Sequence, residues 1–149
     1  RIYNVHLQSI KLKQEEYAVF TNDDGRTVEP PSTFRLLIDK LRVAYPKRAE
    51  QARKVAEHVQ TSPYPVIVCG DFNDTPMSYS YNQFDKFLKD SYRQCAFGIG
   101  STYVGKVPAG RIDYIFHSEE LHSADFKIQE KSFSDHRAIS CKIFKDSIH

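Results

Sequence analysis

The stretch that most constrains this chain is Val66-Ile67-Val68-Cys69-Gly70-Asp71-Phe72-Asn73. A short unbroken apolar run rich in β-branched residues fits a strand covered on both faces, the kind found in the middle of an α/β sheet. The run falls far below the roughly 20 apolar residues that a membrane-crossing helix needs. It ends at Gly70. At its carboxyl end, where α/β proteins place ligands, it delivers a carboxylate and an amide. Asp71 and Asn73 are two residues apart and share one side if the chain stays extended. Together they could orient a water and hold a phosphate oxygen. They could equally form a turn in which the Asp and Asn side chains bind nearby backbone groups, as such sequences routinely do. These residues alone leave both readings open.

The opening segment Arg1-Ile2-Tyr3-Asn4-Val5-His6-Leu7 alternates as a strand does, with Ile2, Asn4 and His6 on one face and Tyr3, Val5 and Leu7 on the other. It begins without an initiator Met or an apolar signal core, so the chain is expected to be truncated. Residues 8–31 are rich in polar and turn-forming types, including Asn22-Asp23-Asp24-Gly25 and Pro30-Pro31, and read as a long excursion with a short helix near residues 15–20. Ser32 can cap a helix over about 33–44, after which Pro46 predicts a break and a second helix from Lys47. On that second helix Ala49, Ala52, Val55, Ala56 and Val59 form the apolar stripe, and Lys47, Arg48, Glu50, Arg53, Lys54 and Glu57 fall outside it. Residues 79–88 have helical character, with Tyr79, Tyr81, Phe84 and Phe87 spaced as a buried face. Strands are expected around 101–104, 111–116, 126–130 and 138–144.

No repeat or shift in composition divides the chain, and its 149 residues suit one α/β unit or part of one. With 40% hydrophobic residues and charges of both signs it is a folding sequence, which excludes wholesale disorder. Its 21 basic and 19 acidic side chains leave a formal charge of +2, so no strong global field draws in nucleic acid or an anionic membrane. Any such partner must be recognised locally. Cys69, Cys95 and Cys141 are odd in number and widely spaced, unlike a disulfide framework or a zinc site, and are expected to be packing residues.

Two further segments carry chemistry. In Gly110-Arg111-Ile112-Asp113-Tyr114-Ile115-Phe116 the alternation places Asp113 beside apolar residues, so its carboxylate is expected to be at least half buried and to need a partner. A histidine would suit, and so would Arg111 or another surface cation. In Ser134-Asp135-His136-Arg137 a carboxylate and an imidazole stand next to each other at the entrance to a strand. Adjacent residues of an extended segment point opposite ways, which fits two neighbouring jobs better than mutual contact. With His6, Asp71, Asn73 and Asp113 they complete a polar constellation if the strands are neighbours.

In order along the chain, Asn4-Val5-His6-Leu7, Gly70-Asp71-Phe72-Asn73, Arg111-Ile112-Asp113-Tyr114 and Ser134-Asp135-His136 resemble the landmarks of the endonuclease/exonuclease/phosphatase superfamily. That superfamily includes deoxyribonuclease I, apurinic-site endonucleases, neutral sphingomyelinases and inositol polyphosphate phosphatases. The segment from Tyr64-Pro65-Val66 to Tyr79 is most similar to bacterial, Bacteroidetes-type members, whose upstream region is often membrane-spanning. The resemblance implies an α/β (α+β) fold, the C-terminal part of a deoxyribonuclease I-like four-layer sandwich with mixed, mostly antiparallel sheet and flanking helices. It implies metal-dependent phosphoester hydrolysis with Mg²⁺ or Mn²⁺, ions suited by oxygen ligands. By position, His136 would be the catalytic histidine, held by Asp113. Asp71 would orient or deprotonate the water, and Asn73 would bind the scissile phosphate. His6 would contact the phosphate or assist the leaving group, and Asp135 would serve the metal. Whether His136 or Asp71 takes the proton stays open.

The resemblance spans nearly all of residues 1–149 but only the C-terminal part of one family domain. Two upstream strands of the family, one bearing an Asn and one ending in a metal-binding Glu, have no counterpart. Glu15, Glu16 and Glu29 follow the His6 strand and cannot take that role by position. The isolated chain is therefore expected to bind Mg²⁺ weakly and to be nearly inactive, and to self-associate through a sheet face left bare. The substrate is expected to be a nucleic acid, a phospholipid headgroup or a small phosphoester. The basic residues Lys11, Lys13, Lys47, Arg48, Arg53 and Lys54 are too scattered to favour nucleic acid. A non-catalytic binding module that keeps the fold is the competing function.

Overall fold

The computed structural model describes residues 1–10, 31–105 and 110–145, with the side chains of 31–34 and 37 left aside. The expected helix at 15–20, Lys11, Lys13 and the three candidate glutamates lie outside the described residues. Four strands form one sheet: β1 (Ile2–His6), β2 (Ile67–Asp71), β3 (Lys89–Asp90) and β4 (Asp113–His117), in the order β1-β2-β4-β3. The first pair is parallel and the other two are antiparallel, so the sheet is mixed. Strands β5 (His122–Ile128) and β6 (Ile139–Phe144) make a second, antiparallel sheet with a register shift between Ala124 and Lys127. Among the described residues three helices flank them: α1 (Pro31–Gln60), α2 (Tyr79–Asp85) and α3 (Ser91–Cys95).

The core lies between the first sheet and helices α1 and α2. Val68, Tyr114 and Phe116 rise from one sheet face into Ala52, Ala56 and Val59 of α1 and Tyr81 and Phe84 of α2, with Phe72 among them. Burying these aromatic and aliphatic side chains is worth roughly 1.5–3 kcal/mol each. Phe72 packs edge-on against Phe84 and Tyr114 at 5.0 and 5.1 Å between centroids, the offset geometry aromatic quadrupoles prefer. On the opposite face Ile67 and Cys69 are only half-buried, so β2 is central in the sheet but not sealed on both sides. Helix α3 packs on β5, and Gln94 joins the sheets by accepting from Ser123 Oγ at 2.7 Å while meeting His117 Nε2 at 2.8 Å.

Gly70 has φ +136°, and a Cβ there would land on the carbonyl of Val5 in the paired strand. Only glycine tolerates both demands. That close approach keeps β1 against β2 directly beneath the residues that carry chemistry.

Several local expectations give way to packing. Pro46 does not break the helix: α1 runs continuously through it, losing one backbone donor. Ala44 is buried before the proline, and Ala52, Ala56 and Val59 after it pack into the core against the sheet. Arg48, placed by its charge on the solvated face, is 1% exposed. Helix α2 ends at Asp85, capped at its start by Ser78, whose hydroxyl accepts from Tyr81 N. Tyr79 is exposed, whereas Tyr81 and Phe84 are core. The strand expected at 101–104 is a single bridge between Tyr103 and His136. The three cysteines are free and half-buried.

Candidate active site

Strand register builds the site. His6 pairs with Asp71, and Asp71 pairs with Asp113, so three polar side chains stand in one row across β1, β2 and β4. Paired residues on neighbouring strands share a face. The row closes the carboxyl ends of the two parallel strands, where Leu7 N donates to Asp71 O between β1 and β2 and Phe72 N donates to Ile112 O beside β4, both at 2.9 Å.

His136 arrives from the loop before β6. Its Nδ1 lies 2.9 Å from Asp113 Oδ2, and its Nε2 lies 3.9 Å from Asp71 Oδ2. A carboxylate can only accept here, so Nδ1 carries the proton and Nε2 presents its lone pair toward Asp71. Tyr103 packs edge-on against the imidazole at 5.2 Å. Asp113 pairs with this histidine and not with Arg111, which turns inward to Asp90 Oδ2 at 2.7 Å.

Asp71 and Asn73 form the turn, one of their two readings, and the chain does not stay extended through Asn73. Asp71 Oδ1 accepts from Asn73 N at 2.7 Å, a turn that puts Asn73 at φ +52°, a conformation asparagine accepts. The Asn73 side-chain amide donates to Leu7 O at 3.0 Å and to Asp71 Oδ2 at 2.8 Å, which uses both of its N–H groups. His6 is exposed, its Nε2 3.5 Å from Asp71 Oδ2. The structure thus brings His6, Asp71, Asn73, Asp113 and His136 together. Asp135 is exposed beside them, its backbone carbonyl accepting from Val104 N at 2.8 Å.

Thr102 escaped the sequence reading. It is fully buried, and its hydroxyl accepts from Ile112 N and Asp113 N at 3.0 and 3.1 Å, while its carbonyl accepts from Arg137 N at 2.7 Å. One residue therefore holds the backbone on both sides of the Asp113–His136 pair. Its only sequence signal is a threonine two residues after a glycine, which is too common to single out.

The electrostatics suit proton transfer. Burial pushes the Asp71 carboxyl up; the Asn73 backbone hydrogen bond opposes this, the neighbouring Asp113 charge adds to it, and His136 and His6 oppose it. Burial alone would lower the His136 pKa. The hydrogen bond to Asp113 and the charges of Asp113, Asp71 and Asp135 together outweigh burial and hold it above the ordinary value. Two groups with raised proton affinity, one acid and one base, thus stand 3.9 Å apart at Asp71 Oδ2 and His136 Nε2, and His136 and Asp113 also line a cleft with Lys131, Phe133, Ser134 and Arg137.

One ligand atom from each of Asp71, Asp113 and His136 lies within 4.8 Å of the others, and this donor set fits a divalent cation. The two carboxylates supply hard oxygens, as Mg²⁺ and Mn²⁺ require.

Residues 13–136 match the model of the Endonuclease/Exonuclease/phosphatase family. The chain belongs to that family. Among solved structures it is similar to a family protein of Bacteroides thetaiotaomicron, at 25% identity and a TM-score of 0.59, covering 69% of this chain and 46% of that one. It is also similar in fold to the mannosyl-6-phosphatase of Bacteroides thetaiotaomicron, at 24% identity and a TM-score of 0.56, covering 66% and 46%. The human Nocturnin catalytic domain aligns at 22% identity and a TM-score of 0.52, covering 72% and 42%. The chain spans less than half the length of each. No curated protein matches it. Among the described residues no helix is long and apolar enough to cross a membrane.

Proposed function

We propose that this chain carries metal-dependent hydrolysis of a phosphoester, as the C-terminal part of a longer family domain. The observation that carries this reading is the Asp113–His136 pair, 2.9 Å apart, which aims Nε2 at Asp71. Family membership supplies the reaction class, and the short span relative to the solved structures supports the reading as part of a domain.

Asp113 fixes the tautomer of His136 and stabilises its protonated form, so Nε2 can take a proton from water or return one to the leaving group. Asp71, desolvated and between the two histidines, orients the attacking water and competes for its proton. Asn73 reaches the phosphate by exchanging its Asp71 bond for a phosphoryl oxygen, while the bond to Leu7 O keeps the amide in place. His6, exposed at the rim, contacts the phosphate or the leaving group. Asp71 and Asp135, with Asp113 as a further oxygen donor, would hold a divalent cation, which would supply charge stabilisation at the phosphoryl oxygens. The substrate class is a nucleic acid, a phospholipid headgroup or a small phosphoester.

The test is hydrolysis of a p-nitrophenyl phosphodiester and phosphomonoester with Mg²⁺ or Mn²⁺. It compares this chain and an N-terminally extended form, each with its His136→Ala counterpart. Turnover in the extended form, lost on removing His136 or on adding EDTA, is the expected result. Inactivity of both forms on nucleic acid, lipid and small phosphoesters would favour the non-catalytic binding module instead.

A further inference from the structure

Arg48 stands midway along α1, among charged neighbours that point to solvent, and is 1% exposed. Its Nε donates to Gln8 O at 2.8 Å, and its Nη1 lies 3.3 Å from Asp74 Oδ2. The guanidinium sits against the Tyr45 ring at 5.2 Å, and Nη2 has no hydrogen-bond partner among the described residues. Three residues further on, Gln51 Oε1 accepts from Gln8 N at 2.8 Å, so the helix grips both backbone polar atoms of Gln8. Asp74 is held from its other side, its carbonyl accepting from Tyr114 OH at 2.8 Å.

Gln8 follows Leu7, whose carbonyl receives the Asn73 amide, and Asp74 follows Asn73. One side chain therefore joins the two segments that carry His6 and the Asp71–Asn73 turn. A buried guanidinium paired with one carboxylate is a poor source of stability, since burying an ion pair costs about what its attraction returns. What a planar fork with two occupied positions provides is a fixed spacing between its acceptors. Here that spacing separates the ends of β1 and β2, across which Asp71 Oδ2 stands 3.5 Å from His6 Nε2 and 3.9 Å from His136 Nε2.

We propose that Arg48 is a positioning residue: it locks the Gln8 carbonyl to the Asp74 carboxylate and so sets the Asp71–Asn73 turn against the two histidines, without touching substrate. Its meaning for catalysis rests on the phosphoester reading above; its effect on the turn does not. Arg48→Met alone strands the Asp74 charge, so the deciding variant is Arg48→Met with Asp74→Leu, which removes both charges together.

Three measurements on this variant and on Arg48→Lys decide the matter: thermal melting, hydrogen exchange of the Asn73 backbone amide by NMR, and kcat and KM on the p-nitrophenyl phosphodiester with Mn²⁺ in whichever form turns over. In the double variant the expected result is an unchanged melting midpoint with Asn73 exchange faster by about tenfold. With it kcat falls about 10²-fold at constant KM, the size a displacement near 1 Å produces. Arg48→Lys, which keeps the charge without the fork, does not rescue. Wild-type Asn73 exchange in the double variant, full rescue by lysine, or failure of the double variant to fold would each overturn the proposal. If the wild type shows no His136-dependent turnover, the phosphoester reading falls while the Asn73 exchange still judges Arg48.

Discussion

Two charged pairs flank the start of β4, and they differ in one respect that decides what each can do. Arg111 and Asp90 meet at 2.7 Å with side chains 4% and 0% exposed, sealed by the rings of Tyr92 and Tyr114 at 4.6 and 4.7 Å from the guanidinium carbon. His136 and Asp113 meet at 2.9 Å with 29% and 15% exposed, at the wall of an open cleft. The sealed pair has no route to a substrate, and the other hydrogen bonds of Asp90 go to the fold. Asp90 also accepts from Tyr81 OH at 2.8 Å and caps α3 through Tyr92 N at 2.9 Å. The open pair keeps one nitrogen free and turned toward Asp71. Similar charge chemistry thus serves packing where water is excluded and proton transfer where it is admitted.

The sharpest way to break this contrast is to remove one member of each pair. In the N-terminally extended form, His136→Ala should lower turnover by about 10²–10⁴-fold, the usual worth of a positioned acid–base group, and leave the melting midpoint close to wild type. Arg111→Met should do the reverse. It leaves Asp90 charged and buried without its cation, at a cost of about 3–5 kcal/mol. Urea denaturation with activity measured per folded molecule separates the two. A loss of kcat in folded Arg111→Met comparable with that in His136→Ala would erase the distinction.

The open pair was legible in the sequence because each member sits at a strand end, where period-two alternation and a terminating glycine or turn residue announce it. Asp71 and Asn73 follow Gly70, Asp113 opens β4, and His136 stands in Ser-Asp-His just before β6. The sealed pair was not legible. Lys89–Asp90 is a two-residue strand with no periodic signal, and Ser91–Cys95 is a single helical turn started by the Asp90 cap. Arg48 was misplaced for a related reason. It lies four residues from both Ala44 and Ala52, squarely on the buried stripe, but its charge counted for more than its spacing. Pro46 misled in the opposite direction, since one missing backbone donor weighs less than the apolar contacts on either side of it. Local chemistry predicts what is paid or gained within a turn of chain; these cases turn on partners tens of residues away.

A smaller and more specific effect concerns pH. Asp113 and the neighbouring carboxylates hold the His136 pKa above its ordinary value of about 6.5. Folding therefore tightens proton binding at His136. The stability this contributes is complete below the unfolded pKa and is lost as pH rises through the raised folded value. Activity runs the other way if Nε2 is the base, because its lone pair becomes free across the same window. We expect kcat/KM to rise with pH to a plateau, with a midpoint above about 6.5, and Asp113→Asn to move that midpoint down together with a fall in the plateau. A profile that is flat through this range, or a midpoint unmoved in Asp113→Asn, would shift the base role to Asp71.

The smallest effect belongs to a third pair, which tests whether distance alone accounts for the first two. Lys142 Nζ and Asp125 Oδ2 stand 2.6 Å apart across the second sheet, closer than either pair at β4, yet their side chains are 76% and 57% exposed. Proximity still registers in titration: the hydrogen bond and charge of Lys142 hold the Asp125 carboxyl below its usual range. Water and salt nevertheless solvate both groups well when they are apart, and two flexible side chains lose rotamer freedom when they meet. Lys142→Ala should leave both the denaturation midpoint and turnover indistinguishable from wild type. A clear loss of stability would mean that pairing distance, and not access to water, sorts the charged pairs of this chain, and the division between a sealed structural pair and an open chemical one would need another basis.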